Sequence, residues 1–272
     1  MNRSPLKWAG SKAGVMDQLI YFLPTGNRLV EPFVGSGTVF LNTDYKTYLL
    51  CDINPDLILF FIKVKNSMEK LLRYARELFT NGNTPEKFYE IRTAFNSGNY
   101  SSYQKAAMFL YLNRHCFNGL CRYSELSGFN VPFGKYKQPY FPDKELRLFS
   151  EKANDTGAVF LCCDFSECIE MAGDGDVIYA DPPYVPISGS SSFTKYYSSE
   201  FGLPEHERLS NELSYAKTRG CRIVASNSEA AIKTKIYSQF ECETIDANRS
   251  ISRATGVDKT AKEAIFTTTN NI

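Results

Sequence analysis

The 272 residues predict an α/β fold: a doubly wound nucleotide-binding sheet, interrupted by a mainly helical insertion that carries a β-hairpin loop. Three observations point there. A strand, a Gly-x-Gly turn, a helix, a second strand and an acid follow one another between Arg28 and Asp52, which is how such a sheet begins. Residues 56–112 then change to helical periodicity. Strand-like runs return from Ala158 onward, so the sheet resumes beyond the insertion. The division expected is a catalytic sheet domain over residues 1–55 and 145–272, with the insertion over 56–144.

After a helix-rich lead, Arg28-Leu29-Val30-Glu31-Pro32-Phe33 reads as the first strand. In the turn Val34-Gly35-Ser36-Gly37-Thr38 two glycines let the chain bend tightly and a ligand approach the backbone. A lone Gly-x-Gly serves packing as readily, and no Gly-Lys run follows to cradle a triphosphate. Val39 to Asn42 opens a helix, and Tyr48 to Asp52 is the second strand. Asp52 suits the vicinal hydroxyls of a ribose and equally the N-cap of the helix that follows. Leu57, Phe60, Phe61 and Val64 form one helical face, and Leu71, Leu72, Ala75 and Leu78 the next. Asn113 to Pro142, rich in Asn, Gly, aromatic and basic residues, reads as a structured loop or hairpin. Later strands are expected at Ala158–Cys162, Val177–Ala180, Arg222–Ser226 and Glu263–Thr267, with a mobile Ser/Gly lid at Ser188–Ser192.

Composition narrows the function. At 43% hydrophobic the chain affords a large core and excludes wholesale disorder. Its longest apolar runs, such as Met108–Leu112, are too short to span a bilayer. Met1-Asn2-Arg3-Ser4-Pro5 opens no signal-peptide pattern, so a cytoplasmic location is expected. Eight cysteines without C-x-x-C spacing, beside only two histidines, argue for buried free thiols and against a metal site. Net charge is +1, but Pro55–Arg147 holds 14 Lys and Arg against 8 Asp and Glu. So small an excess suits a solvated surface or a face turned to a polyanion.

Asp181-Pro182-Pro183-Tyr184, just past the strand at Val177–Ala180, is the most informative stretch. Prolines stiffen the turn, a carboxylate and the Pro182 carbonyl can accept both hydrogens of an exocyclic amino group, and the Tyr184 ring can stack on a planar base. Lys7-Trp8-Ala9-Gly10-Ser11-Lys12 holds the sole tryptophan, suited either to core packing or to a purine. Phe117 could fill the gap left by an extruded base, with Asn118 beside it. Arg122 can read a guanine edge, and Leu120 or Pro132 can press on a thymine methyl. Lys135 and Lys137, with Arg92 and Arg114, suit phosphates. The same aromatic-rich loop is equally compatible with simple packing.

In their order along the chain, Lys7-Trp8-Ala9-Gly10, Glu31-Pro32-Phe33-Val34-Gly35, Asn118-Gly119-Leu120-Cys121-Arg122-Tyr123, Phe129-Asn130-Val131-Pro132-Phe133-Gly134 and Asp181-Pro182-Pro183-Tyr184 resemble the Dam family of DNA adenine-N6 methyltransferases, α group. The resemblance covers nearly the whole chain. It implies a Rossmann-like S-adenosylmethionine-dependent methyltransferase sheet with an inserted target-recognition domain, and transfer to adenine N6 in double-stranded DNA at GATC by base flipping. S-adenosylhomocysteine would be the second product, no metal is needed, and the protein would work as a monomer. By the same resemblance Trp8, Lys12, Phe33, Gly35, Gly37, Asp52, Asp164 and Asp181 line the cofactor pocket, and Asp181, Pro182 and Tyr184 are catalytic. Lys7, Leu120, Arg122 and Pro132 match readers of the bases, Phe117 and Asn118 the pair intruding beside the target, and Tyr136 a recognition residue nearby. Asn130 and Ser188 complete the expected DNA contacts with Arg92, Arg114 and Lys135. Three departures stand out: Ser11 where a glycine is common, Phe117 without the hydroxyl some relatives carry, and a tail that keeps Arg249-Ser250-Ile251-Ser252 but is less basic than expected at Val257-Asp258-Lys259. A methyltransferase acting on cytosine N4 or on protein glutamine would usually show Asn or Ser in place of Asp181. A non-catalytic DNA-binding relative would not need the tetrapeptide at all.

Overall fold

The computed structural model describes residues 1–124, 126–185, 195–197, 199–248 and 260–268. In chain order its strands are β1 (Arg28–Glu31), β2 (Thr47–Asp52), β3 (Tyr123–Ser124), β4 (Gly128–Phe129), β5 (Val159–Cys162), β6 (Asp176–Ala180), β7 (Lys195–Tyr197), β8 (Ser199–Glu200), β9 (Arg222–Ser228), β10 (Glu241–Asn248) and β11 (Thr260–Thr267). The α-helices are α1 (Met16–Leu19), α2 (Thr38–Asn42), α3 (Pro55–Asn66), α4 (Met68–Phe79), α5 (Pro85–Ser97), α6 (Ser102–His115), α7 (Asp143–Asp155), α8 (Phe165–Glu170), α9 (Leu203–Thr218) and α10 (Ala230–Thr234).

Seven strands form one sheet in the order β10-β11-β9-β6-β1-β2-β5. The five from β9 to β5 run parallel, and β11 is antiparallel to both its neighbours. The chain builds outward from β1 through β2 to β5, then returns to the other side of β1 with β6 and β9. A topological switch therefore lies between β1 and β6. In open α/β sheets ligands bind outside the carboxyl ends of the strands at such a point.

Local chemistry explains the elements. Strand β1 stops at Glu31, short of the expected Phe33, because Pro32 has no N–H for the ladder. Strand β6, Asp176-Val177-Ile178-Tyr179-Ala180, is buried throughout, as a central parallel strand must be. Asp52 does not cap α3. Asn54 does, accepting from the amides of Asp56 and Leu57, with Pro55 opening the helix. Strand β10 went unread because it is an edge strand with little burial and no clean alternation.

Helices α3–α6 share one continuous apolar cluster with a face of the sheet: Leu57, Phe61, Tyr111 and Leu112 belong to it together with Leu29, Tyr48 and Phe149. The expected hairpin is β3 with β4. Tyr123 anchors it by donating to Asp56 Oδ2 at 2.9 Å, while Lys105 holds Oδ1 of the same carboxylate at 2.7 Å. All eight cysteines are free thiols, but the expectation that they are buried holds only in part, since Cys162 and Cys242 are exposed. Among the described residues no helix is long and apolar enough to cross a membrane. No cluster of three or more potential metal ligands occurs among them either.

Candidate active site

Gly35 follows β1 and Asp181 follows β6, and these two strands pair directly at the switch point. The two glycines of the turn are conformationally required. Gly35 has φ +48°, and a Cβ there would lie 2.9 Å from Trp8 Nε1, so the indole rests on bare backbone. Gly37 has φ +69°, and its Cβ would meet Phe149 at 2.9 Å. Ser11 needs no glycine, because its φ is −54° and the left-handed turn falls on Gly10 instead. Its hydroxyl bonds that of Thr38 at 3.0 Å, and Thr38 bonds Ser36 at 2.8 Å, tying the Lys7–Lys12 segment to the glycine turn.

The carboxyl ends of β1, β2, β5 and β6 carry the rest of the expected cofactor pocket. Asp52 Oδ2 accepts from the Gly35 amide at 3.2 Å and Oδ1 from Asn54 at 3.0 Å. Burial nevertheless pushes its carboxyl up to about 6. Phe33 packs on Phe165 and Phe201, with centroids at 5.5 and 5.7 Å. Asp164 caps α8 and is held bidentate by Arg208 at 2.6 and 2.9 Å. Those hydrogen bonds hold its carboxyl down at about 2. Glu31, at the end of β1, is buried with Oε1 unpartnered, and burial raises its pKa well above the usual range. A strand-end acid, an orphaned buried acid and two aromatic rings beside a glycine turn fit a sulfonium nucleoside such as S-adenosylmethionine. Phe33, Trp8, Lys12, Asp52 and Asp164 would hold it.

In the tetrapeptide, Asp181 Oδ1 receives Lys12 Nζ at 2.7 Å and the Ser226 hydroxyl at 2.9 Å. The side chain keeps 19% exposure. Burial raises its pKa, and the like charge of Glu263 adds to that, against the pull of Lys12. For Lys12 burial opposes the charged form, but Asp181 and Glu263 outweigh it and its pKa rises. Lys12 also donates to the Tyr184 hydroxyl at 2.6 Å, and that hydroxyl donates to Glu263 Oε1. The turn is latched from β9: Val185 N donates to Asn227 Oδ1 at 3.0 Å, and Ser228 Oγ to the Val185 carbonyl at 2.9 Å. Ser226, Asn227, Ser228 and Glu263 were not anticipated. Only the sheet order places them at the cup, and no contiguous motif announces them.

Several of the expected DNA residues gather on one face of the insertion. The Lys7 ammonium sits 3.6 Å from the centre of the Tyr136 ring. Asn113 accepts from Lys7 N at 2.9 Å and donates to the carbonyls of Lys7 and Gly119, at 2.8 and 3.2 Å. Gly119 is there because a Cβ would strike Lys7 at 2.2 Å. Phe117 is 42% exposed, and Asn118 beside it is exposed with φ +53°. Pro132, Arg122 and Lys135 are exposed, and Leu120 is partly buried against the core. Arg122 Nε donates to Asn130 Oδ1 at 2.8 Å, across the hairpin. Arg92 donates to the Val131 carbonyl at 3.2 Å and covers the Tyr89 ring. Arg114 is a correction. It is buried and gives its guanidinium to the Pro5 carbonyl at 2.6 Å, so it braces the amino-terminal segment and does not meet a phosphate. Ser188, the Ser188–Ser192 lid and the 249–259 tail lie outside the described residues.

Comparison with known proteins agrees with this geometry. The family described as D12 class N6 adenine-specific DNA methyltransferase matches residues 8–251. The chain is 43% identical to the retron Ec67 DNA adenine methylase of Escherichia coli over 96% of its own length and 89% of the relative's. It is 41% identical to the DNA adenine methylase of Escherichia coli K12, covering 97% and 94% of the two chains. It is also 44% identical to the DNA N-6-adenine-methyltransferase of phage P1 over 92% of its length, but spans only about a third of that longer protein, 33%. The family implies use of S-adenosylmethionine and a DNA substrate. The chain belongs to the D12 class of N6 adenine-specific DNA methyltransferases.

Proposed function

We propose that this protein methylates adenine N6 in double-stranded DNA at GATC, flipping the base into the cup formed by Asp181, Pro182 and Tyr184. The observation that carries the reading is the meeting of the Asp-Pro-Pro-Tyr turn and the Gly35 turn at one switch point. Bound S-adenosylmethionine supplies an electrophilic methyl carbon on a sulfonium. The protein's part is to prepare the acceptor. Asp181 and the Pro182 carbonyl accept the two N6 hydrogens, drawing the nitrogen lone pair out of conjugation with the ring. Tyr184 stacks on the extruded purine, and Phe117 with Asn118 fills the space it leaves. Lys7, Leu120, Arg122, Pro132 and Tyr136 read the flanking bases, with Arg122 on a guanine edge and Asn130 steadying it. Lys135 and Arg92 hold phosphates. Residues 56–144, joined by Lys7, carry this reading face, and residues 1–55 and 145–272 carry the chemistry. One chain holds both pockets, so a monomer suffices.

Expression from a plasmid in a host without adenine methylation tests the site. The expected result is that every GATC becomes resistant to an endonuclease blocked by N6-methyladenine and sensitive to one that requires it. Protection at some other sequence would overturn GATC while leaving the chemistry standing.

A further inference from the structure

Glu263 belongs to no motif legible in the sequence and lies 79 residues beyond Tyr184, yet it reaches into the cup. It does so because β11 is antiparallel to β9 and enters the sheet where β9 ends, pairing Glu263 with Ser228. Its neighbours on that edge, Ser226 and Asn227, already latch the tetrapeptide. Glu263 is only 6% exposed and Lys12 only 5%. The Glu263 Oε1 atom receives the Tyr184 hydroxyl and lies 3.1 Å from Lys12 Nζ. Lys12 is thus shared between two carboxylates, being 2.7 Å from Asp181 Oδ1. Tyr179 and Glu31 are the other titratable groups near Asp181, and burial favours the neutral form of both. One ammonium against two carboxylates leaves the cup with a net negative charge. Desolvating such a group is costly unless it is paired, and among the described residues Glu263 is paired with Lys12 and Tyr184 of the cup.

We propose that Glu263 is a positioning residue for methyl transfer. It keeps Lys12 from neutralising Asp181, and it holds the Tyr184 ring in place by its hydroxyl. The inference rests on the reading of the cup as the methyl-acceptor site. As the N6–carbon bond forms, the carbon–sulfur bond breaks and its electron pair stays on sulfur. The positive charge passes to the nitrogen, which then loses one proton to water. A cup of net negative charge favours that change, whereas a cup in which Lys12 belonged to Asp181 alone would be neutral and would oppose the incoming amino hydrogens.

The test compares Glu263→Gln with wild type in single-turnover methylation of a GATC duplex, alongside a carbon-13 NMR titration of the aspartate carboxyls in the cofactor-free protein. The rate constant is expected to fall roughly tenfold or more, with melting temperature and duplex affinity little changed. The Asp181 carboxyl, relieved of a like charge and given sole possession of Lys12, should titrate at lower pH. The acid limb of the rate profile should follow it downward. A wild-type rate with an unmoved Asp181 titration would overturn the proposal. Should Glu263→Gln not fold, Tyr184→Phe keeps the ring and removes the hydroxyl that links it to Glu263 and Lys12: slower transfer with retained duplex affinity supports the role, and an unchanged rate rejects it. Wild-type protein that methylates no DNA sinks the functional reading, whereas active wild type matched by Glu263→Gln sinks this one alone.

Discussion

In the cup, Lys12 and Glu263 are withdrawn from water and Lys12 joins Asp181, Glu263 and the partly buried Tyr184, whereas Phe117, Arg122, Pro132 and Lys135, the proposed DNA contacts, stand in solvent. These exposed residues are positioned by what lies beneath them: Asn113 joins Lys7 to Gly119, the Pro132 carbonyl takes the Phe117 amide, and Arg114 braces Pro5. The two regions therefore fail differently. A carboxylate removed from the cup hands Lys12 to the one that remains and so changes the charge of the whole cluster. A side chain removed from the face loses one contact and leaves the loop standing.

The largest expected effect tests that asymmetry at its centre. Asp181→Ala should lower the methylation rate constant by at least 10²–10³-fold, on the order of what losing one oriented acceptor of developing charge costs. Duplex affinity should stay near wild type by fluorescence anisotropy, and a parallel loss of affinity would merge the two regions into one. On the face, Arg122→Ala should weaken discrimination at one guanine by about 1–3 kcal/mol, read by competition between GATC and single-mismatch duplexes. Unchanged preference would remove Arg122 from the readers. Between the two lies Asp52, whose carboxyl is pushed up to about 6 by burial. Its charged form is lost as pH falls through that value, so calorimetric affinity for S-adenosylmethionine should decline below about pH 6, by up to about tenfold per unit. Asp52→Asn should abolish that dependence. The smallest effect separates a phosphate contact from a brace. Lys135→Ala should reduce the salt slope of binding by about one with little change in melting temperature. Arg114→Ala should lower the melting temperature and leave the slope alone.

Much of the fold was legible because its signals are local. The Gly35–Gly37 turn, the acid ending β2 and the buried run of β6 each announce themselves within a few residues. The place of the tetrapeptide at the carboxyl end of β6 was legible for the same reason. What escaped was long-range. Arg114 reads as a surface base among its neighbours and proves buried only because α6 packs beneath Pro5. Glu263 and Ser226 sit on strands brought to the cup by sheet order, and Asn54 outcompetes Asp52 as a cap by lying immediately before Pro55. Strand β10, solvated along most of its length, carries no hydrophobic period to read.

The central claim is that an adenine amino group is gripped by Asp181 within reach of a sulfonium methyl. The most direct measurement is nucleoside mass spectrometry of duplex DNA treated with the protein and isotopically labelled S-adenosylmethionine. Label is expected in N6-methyladenine with wild type and essentially none with Asp181→Ala. Label in N4-methylcytosine, or equal N6-methyladenine from both proteins, would contradict it.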